Sequence, residues 1–150
     1  MKLICLDYGS KSIGVASADS SLKLATPIKT IFRDRENVLR ASISEIIDII
    51  IKEKADVVVI GLPLMLDGNE SEQTQKVKDF KEVLSLRLQN KVQKENIDLN
   101  PKFSFQNEFY STKMAGEILL ENGKKKKDFK ETIDQVAACL ILEEYMNNNC

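Results

Sequence analysis

The segment from Asp56 to Pro63 constrains the fold of this chain more than any other feature. It reads Asp-Val-Val-Val-Ile-Gly-Leu-Pro, and its four consecutive β-formers show no polar alternation. Such a run predicts a strand that is covered on both faces of its sheet. Gly61 and Pro63 then end the strand.

The segments before and after this strand have apolar residues at helical spacing. Before it, apolar residues recur at spacings of three and four from Leu39 to Ile51, which predicts an amphipathic helix. After it, a long polar helix is predicted from Glu70 to about Lys94, with an inward stripe formed by Val77, Phe80, Val83, Leu84 and Leu88. Two more helices are predicted, one from Ser111 or Thr112 to Gly123 and a last one from about Glu131 to Met146.

Three short apolar runs at 2–7, 12–18 and 25–32 predict consecutive antiparallel strands, and the segment around Phe103 to Glu108 predicts a fifth strand. The resulting order, β-β-β-α-β-α-β-α-α, predicts an α/β fold with a mixed five-stranded sheet flanked by helices. A length of 150 residues predicts one domain, which we place at 1–146, followed by a disordered tail at 147–150.

The composition excludes several classes of protein. The chain has no histidine, so it cannot form a Ser-His-Asp or Cys-His catalytic arrangement or a His-coordinated zinc site. Cys5, Cys139 and Cys150 fit neither a disulfide framework nor a zinc ribbon. Asp7 interrupts the apolar core that a signal peptide would need, and no apolar run approaches a membrane span, so we expect a cytoplasmic protein without a membrane partner.

Acidic residues fall near the ends of three predicted elements: Asp7, Glu108 and Asp134. If the first, fourth and fifth strands run parallel, Asp7 and Glu108 emerge at the carboxyl edge of the sheet, where α/β folds bind ligands. Three converging carboxylates would form a hard-oxygen site for Mg²⁺ or Mn²⁺. Spacing leaves the alternative open that these are a turn residue, a loop carboxylate and an acid favoured by the helix dipole.

Two other segments also have two interpretations. The loop after the first strand contains Gly9, Ser10 and Lys11, and it predicts either a phosphate-binding turn or a simple hairpin. A basic run lies upstream of Asp134, and it is either a solvated connection or a positive rim beside a metal site, as a phosphodiester substrate would favour. Its residues are Lys124, Lys125, Lys126 and Lys127.

Over nearly the whole chain, from Lys2 to about Met146, these motifs in their order and spacing resemble the YqgF/RuvX family of Holliday-junction-resolvase-like proteins. The matching segments are Leu6-Asp7-Tyr8-Gly9-Ser10-Lys11, Ile13-Gly14-Val15-Ala16, Thr26-Pro27, Val58-Val59-Ile60-Gly61-Leu62-Pro63, Asp67-Gly68 with Glu70, Glu108, Ser111-Thr112 with Ala115, and Ile133-Asp134-Gln135 with Ala137-Ala138, Ile141-Leu142 and Tyr145.

The resemblance implies an RNase H-like fold and a metal-dependent nuclease that acts on structured nucleic acid, either pre-16S rRNA at its 5′ end or branched DNA, with ribosomal particles as a further partner. It implies that Asp7, Glu108 and Asp134 are both the catalytic residues and the ligands of Mg²⁺ or Mn²⁺. Three positions differ from the family pattern: Ser12 and Phe109 stand where arginine is usual, and Asn107 stands where an aspartate is usual. Lys11, Lys113 and the lysine run could supply the missing positive charge.

Two other functions fit parts of the sequence. The segment from Asp7 to Ser12 also resembles the first phosphate loop of sugar kinases and actin-like ATPases, although those enzymes close two such domains around ATP. A non-catalytic module that binds nucleic acid or assists ribosome assembly is the second alternative. The retained carboxylates argue against it, because acids near a phosphate backbone repel it unless a metal intervenes. The sequence leaves the oligomeric state open.

Overall fold

The structure is a computed structural model that describes residues 1–35, 38–108 and 126–150, and of residues 126–131 it describes the backbone alone. The described part of the chain forms five strands and three helices. In order they are β1 (Lys2–Tyr8), β2 (Ser12–Asp19), β3 (Leu24–Phe32), α1 (Arg40–Glu53), β4 (Val57–Pro63), α2 (Glu72–Lys94), β5 (Lys102–Glu108) and α3 (Lys126–Asn149).

All five strands form one mixed sheet in the order β3-β2-β1-β4-β5. Strands β1, β2 and β3 pair antiparallel, whereas β1, β4 and β5 pair parallel. The carboxyl ends of β1, β4 and β5 therefore share one edge of the sheet. The sequence predicts this mixed five-stranded α/β architecture, and the structure confirms it.

Strand β4 lies inside the sheet because its side chains are apolar on both faces. One face of the sheet packs against α1 and α2, and its core includes Val58, Ile60 and Phe80. The other face packs against α3, and its core includes Val57, Val59 and Ile141. The unbroken apolar run of β4 thus contributes side chains to two separate cores, one on each face of the sheet.

The helix ends differ from the sequence expectations by a few residues. Helix α2 begins after Ser71 and not at Glu70, because the Ser71 and Thr74 side chains form a reciprocal capping box. Helix α1 ends at Glu53, and its C-cap residue Lys54 adopts the left-handed conformation at φ 53°. The helix predicted from Ser111 or Thr112 to Gly123 lies outside the described residues.

Helix α3 is longer than the sequence predicts at both ends. It begins at Lys126 where the periodicity suggested about Glu131, and it continues to Asn149 where a tail at 147–150 was expected to be disordered. The Asn149 side-chain amide donates a 2.9 Å hydrogen bond to the Tyr145 carbonyl. The backbone N–H of Cys150 donates to the Met146 carbonyl, so helical hydrogen bonding persists through the asparagine run.

The cysteines are free thiols with different exposure: Cys5 is buried, Cys139 is half-buried and Cys150 is exposed. Cys5 belongs to the core between the sheet and α3, and Cys139 packs against the same core. Among the helices that the structure describes, none combines the length and apolar character needed to cross a bilayer.

Candidate active site

Asp7 occupies the centre of the candidate site, near the carboxyl end of β1. Asp7 is only 9% exposed, and it pairs directly with Gly14 on β2. Burial raises the pKa of the Asp7 carboxyl well above its usual range, and the neighbouring Glu108 and Asp134 carboxylates raise it further. The three acids predicted to converge therefore interact electrostatically.

Glu108 reaches this centre because β4 carries no side chain at Gly61. Gly61 follows Ile60, which pairs with Leu6, so it lies level with Asp7 on the neighbouring strand. A Cβ atom at Gly61 would lie 2.9 Å from Glu108 Oε2, which shows that the carboxylate extends over the glycine. Burial raises the pKa of Glu108 from its usual 4.5 to about 7.

Asp134 lies on α3 and approaches Asp7 from the side opposite to Glu108. Its Oδ2 accepts a 2.6 Å hydrogen bond from the Ser12 hydroxyl. A Cβ atom at Gly14 would lie 2.1 Å from the Asp134 carbonyl oxygen, so the helix backbone packs directly on the bare strand. Because α3 begins at Lys126, Asp134 lies beyond the first helical turn, and the helix dipole does not account for its position.

A buried arginine holds the loop that connects β1 to β2. The Arg33 guanidinium donates a hydrogen bond to the Gly9 carbonyl and lies 4.7 Å from the centre of the Tyr8 ring. The Tyr8 ring in turn stacks on Phe80 of α2, with 4.5 Å between ring centres. Cation–π and aromatic contacts of this kind fix the loop next to Asp7.

These residues enclose a cleft of about 360 Å³ at the carboxyl edge of the sheet. All three predicted acids and the whole predicted phosphate loop line it. Its lining comprises Asp7, Tyr8, Gly9, Ser10, Lys11, Ser12, Pro63, Gln73, Glu108 and Asp134. The cleft thus combines carboxylate oxygens with a hydroxyl-rich loop and one exposed lysine, a mixture suited to a cation and a phosphate together.

The donor chemistry of the cleft fits a hard divalent cation. Carboxylate oxygens are the preferred ligands of Mg²⁺ and Mn²⁺, and the mutual repulsion that raises the pKa of Asp7 is relieved by a positive ion. Within the described residues, no three acidic or cysteine side chains stand close enough to enclose an ion together. The fit therefore lies in the buried donor set and its charge, not in a preformed cage.

The predicted basic residues divide into two groups. Lys11 is exposed at the cleft. Lys113, Lys124 and Lys125 lie outside the described residues. Lys126 and Lys127 form the start of α3, where the structure describes the backbone alone. The predicted positive rim remains a prediction.

The roles of Gly14 and Gly61 were not predicted from the sequence, and β4 continues past Gly61 to Pro63. Both glycines lie inside strands and not at turns, and a glycine inside a strand commonly marks a close approach of another group. Arg33 and the contact from Ser12 to Asp134 were not predicted either. Neither contact has a local sequence signal, because Arg33 is 24 residues from Gly9 and Ser12 is 122 residues from Asp134.

Comparison with known proteins adds evidence from sequence. The chain matches the family described as "RuvX: Holliday junction resolvase" over residues 1–148. A protein of Agathobacter rectalis named "Putative pre-16S rRNA nuclease" is 30% identical over 147 residues, which are 98% of this chain and 95% of that protein. A protein of the same name from Rickettsia typhi is 37% identical over 145 residues, covering 97% and 84% of the two chains.

Solved structures add evidence on the fold. The Thermus thermophilus RuvC protein in complex with a Holliday junction substrate superposes with a TM-score of 0.56 at 9% identity, covering 99% of this chain and 94% of that one. The fowlpox virus Holliday junction resolvase superposes with a TM-score of 0.50 at 16% identity, covering 99% of both chains. These similarities confirm the predicted RNase H-like fold.

Proposed function

Since this chain belongs to the RuvX family of Holliday junction resolvases, we propose that it is a metal-dependent nuclease that hydrolyses phosphodiester bonds in structured nucleic acid. The observation that carries the proposal is the meeting of Asp7, Glu108 and Asp134 in one cleft from three different elements. The names of its relatives make pre-16S rRNA the first substrate to test. Ribosomal particles carrying that RNA are a further proposed partner.

The three acids are the residues that would hold Mg²⁺ or Mn²⁺. Such an ion lowers the pKa of an attacking water and offsets the charge that develops on the scissile phosphate. The chain contains no imidazole to accept a proton near neutral pH. Without a metal, burial raises the pKa of Glu108 to about 7, so binding of the ion near neutral pH would displace a proton from this carboxyl.

Other cleft residues orient these groups. The Ser12 hydroxyl donates to Asp134 Oδ2 and fixes the direction of that carboxylate. Ser12 stands where the family usually has arginine, so a neutral hydrogen bond to the acid replaces a charged side chain at this position. Lys11 is exposed at the mouth of the cleft and can contact the phosphate backbone without reading the base sequence.

The proposal is tested by cleavage of two substrates, a pre-16S rRNA fragment that contains the mature 5′ end and a four-way DNA junction. We expect cleavage that requires Mg²⁺ or Mn²⁺ and is lost in Asp7→Asn and Asp134→Asn. Asp98→Asn is the matched control, because Asp98 is exposed in the segment before β5, at the opposite edge of the sheet. It should cleave like the wild type.

Full activity of Asp7→Asn on either substrate would contradict the assignment. Absence of cleavage, together with metal-independent binding that survives removal of all three acids, would favour a non-catalytic binding module. Comparison of the two substrates also decides between RNA and branched DNA, because the assay measures both under the same metal conditions.

A further inference from the structure

Phe32 is an exposed aromatic residue beside the cleft, and the catalytic proposal gives it no role. It is 54% exposed, whereas Tyr8, Phe80 and Tyr145 are each at most 7% exposed. It ends β3, an edge strand of the sheet. Burying an aromatic ring is strongly favourable, so a ring left in solvent at this place is available to a ligand.

The strand register places Phe32 next to the acids. It pairs directly with Ser12 on β2, and directly paired residues of antiparallel strands project from the same face of the sheet. The Ser12 side chain reaches Asp134 on α3, so Phe32 projects from the α3 face as well. Its Cβ atom lies roughly 5 Å from that of Ser12 by the usual cross-strand spacing, and thus roughly 10 Å from the Asp134 carboxylate.

The backbone around Phe32 is held in place. The N–H of Arg33 donates a 2.8 Å hydrogen bond to the Lys11 carbonyl, which extends the pairing of β2 and β3 one residue beyond Phe32. The Arg33 side chain is anchored on Gly9 and Tyr8. A ring on such a fixed backbone loses little conformational freedom when it binds a ligand.

Lys11 lies beside Phe32 at this end of the two strands, where its carbonyl accepts the hydrogen bond from the Arg33 N–H. The Lys11 side chain is exposed and lines the cleft. An exposed aromatic ring with a lysine beside it is complementary to a nucleotide, which combines a π face with a phosphate.

We propose that Phe32 is a stacking platform for an unpaired nucleobase of the substrate strand, next to the phosphodiester that the acids attack. The inference rests on the proposed nuclease function and adds a substrate feature: single-stranded nucleotides flank the cleavage site. Stacking on an aromatic ring tolerates every base, so Phe32 selects for unpaired structure and not for sequence.

The test measures binding separately from cleavage. A single strand of about 12 nucleotides with one 2-aminopurine is titrated with wild type, Phe32→Ala, Phe32→Leu, Phe32→Tyr and Leu24→Ala, and stacking is followed by 2-aminopurine quenching. Leu24 is the matched control, because it is 65% exposed at the other end of the same strand. Circular dichroism checks that each variant is folded, and Phe32→Leu retains an apolar side chain without the aromatic face.

We expect Phe32→Ala and Phe32→Leu to weaken binding of the single strand about 5- to 150-fold and to abolish most of the quenching. Phe32→Tyr should restore both, and Leu24→Ala should match the wild type. Affinity for a fully paired duplex of the same sequence should be the same for all five proteins. Equal quenching and affinity in the wild type and Phe32→Leu would overturn the inference.

Failure of this inference is distinguishable from failure of the nuclease proposal. If the wild type cleaves and Phe32→Leu cleaves and binds identically, the nuclease proposal stands and the stacking role is wrong. If the wild type shows Phe32-dependent quenching but cleaves neither substrate, the stacking role stands and the catalytic proposal is wrong.

Discussion

The contact between Gly14 and α3 makes the substitution Gly14→Ala a demanding test of the site geometry. Gly14 pairs with Asp7 on one side and touches the backbone of Asp134 above the sheet. An added Cβ would lie 2.1 Å from the Asp134 carbonyl oxygen and 2.5 Å from its carbonyl carbon. Both obstacles are backbone atoms, so no side-chain rotation can relieve the clash.

The size of the effect follows from these distances. Ordinary van der Waals contact begins at 3.4 Å, so the helix must move away from β2 by about 1.3 Å. Overpacking of a well-packed core costs about 1–3 kcal/mol, and we expect about 3 kcal/mol here because a whole helix must shift. The same shift breaks the 2.6 Å hydrogen bond from Ser12 to Asp134, and a displacement near 1 Å at a catalytic group can cost about 100-fold in rate.

Urea denaturation and the cleavage assay measure the two effects on the same protein. We expect a lower denaturation midpoint without a change in the slope m, together with the loss of activity. Gly61→Ala is the matched control for stability, because its Cβ would lie 2.9 Å from the mobile ends of Glu108 and Ile141, which can rotate away at a cost of about 1 kcal/mol. If Gly14→Ala were as stable and active as the wild type, the close packing of α3 on β2 would be wrong.

Three further predictions follow from single interactions. In protein freed of metal by EDTA, the raised pKa of Glu108 contributes stability that is present below about pH 4.5 and is lost as the pH rises through about 7. The loss amounts to about 3 kcal/mol. Urea unfolding should show this decline in the wild type and a smaller decline in Glu108→Gln. Ser12→Ala removes one hydrogen bond to a charged group, so it should lower the free energy of unfolding by about 1.5 kcal/mol and the cleavage rate about tenfold. An unchanged rate would refute the orienting role of Ser12. Ser71→Ala should lower the free energy of unfolding by about 1 kcal/mol and leave cleavage intact, because the cap of α2 contributes stability alone.

Much of the architecture was determined by local patterns in the sequence. The apolar run at 57–60 indicates a strand buried on both faces, and the helical spacings before and after it indicate the helices that cover those faces. The mixed sheet could therefore be predicted. The positions of Asp7 and Glu108 at strand ends could also be predicted, because parallel strands place their carboxyl ends at one edge. Each of these conclusions depends on residues that are close together along the chain.

Only the tertiary structure decided how the acids meet. Gly14 and Gly61 leave room beside Asp7 for groups from α3 and β5, and Arg33 holds a loop that lies more than 20 residues away in the sequence. The exposure of Phe32 beside Ser12 likewise depends on the register of two strands. Such contacts are fixed by how elements pack and not by any local pattern, because the interacting atoms belong to residues that share no sequence neighbourhood.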